Sequence, residues 1–255
     1  MMTTIDINCD MGESYGAFMV GEDETIMNYI SSANIACGMH AGDPHVMERT
    51  VRLAKKNRVG IGAHPGFPDI AGFGRRMMEF TEEEIYQLII YQIGGLQAFC
   101  SVHDVTLKHV KPHGALYNLA ARDEKVADAI ARAVYDLDSN LILIGLANSA
   151  LLSAGIAAGI NVVSEVFADR TFTAEGFLTP RNVKGAFIYD VKDAAEQMKR
   201  IVVDQKVKAI DGTIIDLKAD TICIHGDGKH AVAFAEALQT TLSNNGITIK
   251  RLGEK

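Results

Sequence analysis

Short apolar runs rich in β-branched residues alternate along this chain with longer stretches whose apolar positions recur every three or four residues. Period two or a continuous short run marks a strand, and the longer period marks one face of a helix. The short runs predict strands at Thr4–Cys9, Asn34–Cys37, Val59–Ala63, Thr106–Lys111, Leu141–Ile144, Asn161–Val166 and Thr221–His225, with a last one near Ile247–Lys250. Among the helical stretches, Val191, Ala194, Ala195, Met198, Ile201 and Val202 trace one buried face. Thr81 with Glu84 forms a capping box for a helix reaching about Val102. Asp43-Pro44 supplies the N-cap and first residue of a helix ending near Asn57. Asp211-Gly212, between Val207–Ile210 and Thr213–Ile215, signals a hairpin inserted before the seventh strand.

Repeated strand–helix units with continuously apolar strands predict an α/β protein with a parallel sheet covered by helices. No linker or low-complexity segment divides residues 1–255, so one domain is expected. Polar residues follow almost every strand instead of gathering at one switch point. That distribution favours a distorted (β/α) barrel of seven to eight strands over an open doubly wound sheet.

Composition narrows the classes of function. Hydrophobic residues make up 48% and charged residues 22% of 255, which suits a packed core. A net charge of −7 argues against nucleic-acid or anionic-membrane partners, which select basic surfaces. No run approaches the ~20 consecutive apolar residues of a membrane span. The start, Met1-Met2-Thr3-Thr4, lacks a basic and then apolar leader, and Cys9, Cys37, Cys100 and Cys223 form no CxxC pair. A reducing, cytoplasmic setting with free thiols is the expectation.

The unusual residues cluster by position. His40, His45, His64, His113 and His225 fall at or just past strand ends, as do Asp10 and Glu13, Glu165, Asp169 and Arg170, and Asp227. In a parallel barrel these positions converge on one mouth. Each also has a structural explanation. Asp10 and Glu13 could cap a turn, His64-Pro65-Gly66 and His113-Gly114 could be turns only, and Arg75-Arg76 could be a solvated pair. His40 and His45 are five apart, unlike the i, i+4 spacing of helical zinc motifs, so the spacing assigns no metal set. Gly72-Phe73-Gly74-Arg75-Arg76 joins backbone access to residues suited to carboxylate or phosphate. There is no G-x-x-x-x-G-K-[ST] P-loop and no G-x-S-x-G elbow.

Seven segments, in order, resemble the LamB/YcsF family. They are Asp6-Ile-Asn8-Cys9-Asp10-Met-Gly12-Glu13, Asn34-Ile-Ala-Cys37-Gly38-Met-His40-Ala-Gly42-Asp43-Pro44, Gly62-Ala-His64-Pro65 and Gly72-Phe-Gly-Arg75-Arg76. The others are Lys111-Pro-His113-Gly-Ala-Leu-Tyr117-Asn118, Glu165-Val-Phe-Ala-Asp169-Arg170 and Cys223-Ile-His225-Gly226-Asp227. Two positions depart from the family pattern, since Gly228 and Phe172 stand where Thr and Tyr are usual. The resemblance implies a barrel related to polysaccharide-deacetylase and glycoside-hydrolase barrels. It also implies an A-subunit role beside 5-oxoprolinase subunits B and C, converting 5-oxo-L-proline, ATP and water to L-glutamate, ADP and phosphate. ATP is then a co-substrate, held by the partner subunits or at a non-P-loop site in the mouth.

Candidate catalytic residues are Asp10, His40, His64, His113, Glu165 and Asp169. Candidate substrate-binding residues are Asn8, Glu13, Asp43, Arg75, Arg76, Arg170, His225 and Asp227. Asp10 or His64 is the expected general base, and His113 the donor to the leaving nitrogen. Arg75 and Arg76 would grip an anion with Arg170 behind them, while Asp43 and Glu165 would orient histidines. Two rivals stay open. One is a metal-dependent deacetylase or amidase with Asp10, His40 and His45 as ligands; the other is a non-catalytic subunit that holds 5-oxoproline.

Overall fold

A computed structural model describes residues 3–224, 226 and 231–254. The first strand, β1 (Thr4–Met11), sets the character of the whole barrel. Its residues alternate between apolar Ile5, Ile7, Cys9 and Met11 and polar Asp6, Asn8 and Asp10, and all seven are buried. Alternate side chains on a strand face opposite sides. One side of β1 therefore packs under helices, and the other turns a polar row into the barrel.

Parallel strands β2 (Ser32–Ala36), β3 (Gly60–His64), β4 (Leu107–Val110), β5 (Ile142–Leu146) and β6 (Asn161–Phe167) follow in order around the ring. An antiparallel hairpin, β7 (Lys206–Lys208) with β8 (Ile214–Asp216), precedes β9 (Thr221–Ile224). Strand β9 pairs with β6 through Glu165 and Thr221, and with β1 through Asp6 and Thr221, which closes a seven-stranded parallel barrel. The last strand, β10 (Thr248–Ile249), pairs only with the start of β1. It is an appendage to the ring.

Helices cover the outside: α1 (Asp23–Ile26), α2 (Pro44–Asn57), α3 (Glu82–Val102), α4 (Gly114–Ala120), α5 (Glu124–Leu137), α6 (Ala150–Ala157), α7 (Val191–Asp204) and α8 (Ala231–Asn244). The predicted caps form: Asp43 accepts from Val46 N–H, and Thr81 and Glu84 make a reciprocal capping box. Helix α3 alone among the described helices has the length and apolarity to cross a bilayer. Here Ile85, Ile89, Ile93 and Leu96 are buried against the protein, and Tyr86 donates to Asp136 of α5.

Most strand boundaries differ from the sequence reading by one or two residues, and two of the shifts bear on the site. Strand β1 continues to Met11, so Asp10 lies within it and pairs in register with Asn34; β2 begins at Ser32 instead of Asn34. Polarity ended the predicted strands because a strand usually buries apolar residues. The interior of this barrel is polar, so the ladder continues through Asp10. Barrel interiors are ordinarily filled by layers of branched apolar side chains. Here the His109 imidazole crosses the interior, and a Cβ on Gly62 would lie 2.0 Å from its Nε2.

Candidate active site

Lys111, the first residue beyond β4, is the centre of the interior network. Its side chain is 2% exposed, with Nζ 2.8 Å from Asp10 Oδ1 and 2.9 Å from Glu165 Oε1. The same ammonium donates to Asn8 Oδ1 at 3.1 Å and approaches Cys223 Sγ at 3.1 Å. Burial works against its charge, yet Asp10 and Glu165 outweigh that and hold its pKa well above the ordinary lysine value. Asn34 Nδ2 donates to Asp10 Oδ1 and Asn8 Oδ1, and its own oxygen accepts from His109 Nε2. Glu165 accepts from Asn8 Nδ2 at 2.9 Å and from the Tyr117 hydroxyl at 2.6 Å. Deeper still, Asp6 accepts from the hydroxyls of Ser31, Ser32 and Thr221. Burial pushes Asp6 up to about 6 against the pull of those hydroxyls.

Above this network lie three imidazoles. His64 closes β3, with Nδ1 2.7 Å from the Lys111 carbonyl and Nε2 3.3 Å from Asp10 Oδ2. His113, the N-cap position of α4, places Nε2 2.8 Å from the Phe73 carbonyl and Nδ1 2.9 Å from His64 Nε2. His40 stacks on His113 with ring centroids 3.8 Å apart and planes 3° apart. Burial and the neighbouring imidazoles hold both His40 and His113 well below the ordinary histidine value. Glu13 Oε1 stands 3.8 Å from His40 Nε2 and 3.7 Å from His113 Nδ1.

The mouth opens beside these rings as a hollow of about 120 Å³. At ~30 Å³ for each water, that is room for about four waters. Asp10, His64, Lys111 and His113 form its floor, and Arg75, Arg170 and Arg181 reach it from the sides. Arg170 is buried and donates to the carbonyls of Ala186 and Thr179. Burial, then the charge of Arg181, lowers its guanidinium to about 10. Arg75 lies over the Phe73 ring, 4.9 Å from its centroid.

Several expected site residues stand elsewhere. The Arg76 guanidinium is exposed and pairs with Asp69, so it does not join Arg75 at the pocket. Asp43 spends its carboxylate on Val46 N–H and Gly16 N–H, which fastens the start of α2. Glu165 orients Lys111 and Tyr117 in place of a histidine. Asn8 lies within the interior network below the mouth. Asp169 is half-buried on the segment after β6, where its backbone carbonyl accepts from Ile188 N–H, and it does not line the hollow. His45 is exposed in the first turn of α2, so the set Asp10, His40 and His45 does not come together. His225 and Asp227 lie outside the described residues. Phe172 is fully buried, which suits the missing hydroxyl there.

Sequence reading missed Lys111, Tyr117, Asn34, His109 and Arg181 as site residues. Lysine near a strand end ordinarily reads as solvated. Only the topology shows that carboxylates at 10 and 165 enclose it.

A model of the LamB/YcsF family matches residues 5–255. The chain is 54% identical over 251 residues to the 5-oxoprolinase A subunit of Oceanobacillus iheyensis, covering 98% of each chain. It is 56% identical over 249 residues to the protein of the same name from Shouchella clausii, again covering 98% of each. The crystal structure of a lactam utilization protein from Thermus thermophilus superposes with a TM-score of 0.93 at 44% identity, covering 98% of this chain and 100% of that one. A putative cellobiose-phosphate cleavage protein from Enterococcus faecalis shares the fold alone, with a TM-score of 0.60 at 12% identity, covering 98% of each chain.

Proposed function

This chain belongs to the LamB/YcsF family, and from that premise we propose that it is the hydrolytic A subunit of a 5-oxoprolinase, opening the lactam ring of 5-oxo-L-proline. The observation that carries the reading is the hollow itself. It joins a carboxylate paired with a buried ammonium, Asp10 with Lys111, to a wall of arginines in a space of about 120 Å³. That is room for a single small ring with a carboxylate and little more.

A five-membered lactam is a poor electrophile, and ATP would activate it by phosphorylating the lactam oxygen. This chain has no P-loop, and in this reading partner subunits B and C bind the nucleotide. Water then attacks the ring carbon while Asp10 takes its proton. Asn34 and Lys111 fix one oxygen of Asp10, and the other points toward His64. Lys111 would face the developing negative charge as a preorganised donor. The proton gained by Asp10 goes to the leaving ring nitrogen; breaking the C–N bond leaves γ-glutamyl phosphate, and a second water displaces its phosphate to give glutamate. His113 is less suited to that donation than the sequence suggests, because its Nε2–H is committed to the Phe73 carbonyl. Arg75 and Arg170, which line the hollow, would hold the substrate carboxylate, and Arg suits carboxylate contacts.

The test is ATP-dependent release of glutamate from 5-oxoproline by subunits B and C, with and without this chain. Release only when all three are present supports the assignment. Equal release by B and C alone would remove it.

A further inference from the structure

The face of His40 is spent on stacking against His113, but its two nitrogens are not. His40 is 1% exposed, and among the described residues neither ring nitrogen has a hydrogen-bond partner. A buried polar group left unmet is destabilising, so such a residue usually awaits a partner. The Nδ1 edge is closed, because a Cβ on Gly66 would come within 2.7 Å of it. The Nε2 edge faces Glu13 at 3.8 Å.

The neighbouring rings show the same incompleteness. A carbonyl only accepts, so the Lys111 carbonyl fixes the proton of His64 on Nδ1, and the Phe73 carbonyl fixes that of His113 on Nε2. In the neutral rings, His64 Nε2 and His113 Nδ1 then present lone pairs to each other across 2.9 Å. Two lone pairs at that distance repel unless a cation lies between or beside them. Metal-binding histidines characteristically give their second nitrogen to a backbone carbonyl or carboxylate in this way. One ligand atom from each of Glu13, His40, His64 and His113 lies within 4.8 Å of all the others. Bonds of ~2.0–2.1 Å would bring such donors to about 3.4 Å apart, a closure of up to about 1.4 Å for the widest pair.

We propose that Glu13, His40, His64 and His113 bind one divalent transition-metal ion of the zinc class. Three imidazoles and one carboxylate favour Zn²⁺, Co²⁺ or Fe²⁺ over Mg²⁺ and Ca²⁺, which take oxygen ligands. Glu13, His64 and His113 line the hollow and His40 does not, so the ion would be reachable from the substrate side and sealed behind. A metal there would lower the pKa of a bound water next to Asp10. The site goes beyond the ring-opening reading and is tested without turnover.

The purified full-length chain is stripped with chelator and titrated with Co²⁺ and then Zn²⁺. The expected result is uptake of one equivalent, visible ligand-field absorption from nitrogen-ligated Co²⁺, its loss on adding Zn²⁺, and a higher melting temperature for the loaded protein. His40→Ala and His113→Ala should each weaken binding by about tenfold or more, with the metal-free melting temperature serving as the check on folding. If both variants fail to fold, the wild-type cobalt spectrum and zinc competition decide alone. No stoichiometric uptake by the wild type, or undiminished uptake by folded His40→Ala and His113→Ala, would overturn the proposal. Metal binding without ring opening would count against the lactamase reading and leave this site intact.

Discussion

An ammonium buried between two carboxylates is tolerated only when its protons are met, and removing one partner of such a set strands the others. Lys111 contacts Asp10, Glu165 and Asn8 with its single Nζ. Lys111→Met should therefore destabilise the fold by about 3–5 kcal/mol and abolish activity, as read by urea unfolding beside turnover. A loss under about 1 kcal/mol would mean that the network is not rigid. Asp6 makes a second prediction at this scale. Its pKa rises from 3.8 to about 6, so the folded state holds the proton more tightly than the unfolded chain. The stability this gives is present below pH 3.8 and lost as pH rises through about 6. Asp6→Asn keeps an acceptor for Ser31 and Ser32 and offers Thr221 a donor. It should be more stable than wild type above about pH 6, by on the order of 2–3 kcal/mol, and the advantage should shrink toward about pH 4. Urea midpoints at about pH 4.5 and pH 7.5 measure this, and a constant difference would refute it. Neither Lys111 nor Asp6 was legible as a network member, because their partners are far away in sequence. His64, Asp10 and His113 were legible because histidine and aspartate at strand ends are conspicuous by type.

Elements were most readable where their signals are local. Thr81 with Glu84, and Asp43 before Pro44, each start a helix where their spacing says they should. The same local chemistry corrects a role. Asp43 looked like a site residue by its position after a strand, but its oxygens are occupied by Val46 N–H and Gly16 N–H. Asp43→Ala should cost about 0.5–2 kcal/mol of stability and leave the KM for 5-oxoproline little changed. A large rise in KM with unchanged stability would restore it to the site. Segment 168–190 shows the opposite case. It has no periodic pattern, yet its isolated bridges, Arg170 with Phe187 and Phe172 with Leu178, fold it back on itself and position Arg170. Its contribution could not be read locally, because it is held by long-range pairing.

At the scale of the molecule, the alternation of strands and helices predicted the barrel, and the placement of polar residues predicted the end at which Asp10, His64 and His113 gather. What the pattern concealed was the interior. Barrel interiors are ordinarily filled with branched apolar side chains. Instead β1 directs Asp6, Asn8 and Asp10 inward, and His109 occupies the space that Gly62 leaves open. The closed ring is what makes Asp10 and Glu165 neighbours of one lysine. The central claim is that Asp10, held in this way, is the base that opens the ring. Single-turnover ring opening by the assembled complex should fall by about 10²–10⁴-fold in Asp10→Asn, with 5-oxoproline still bound and the fold intact. Ring opening at a rate near that of the wild type would contradict the account.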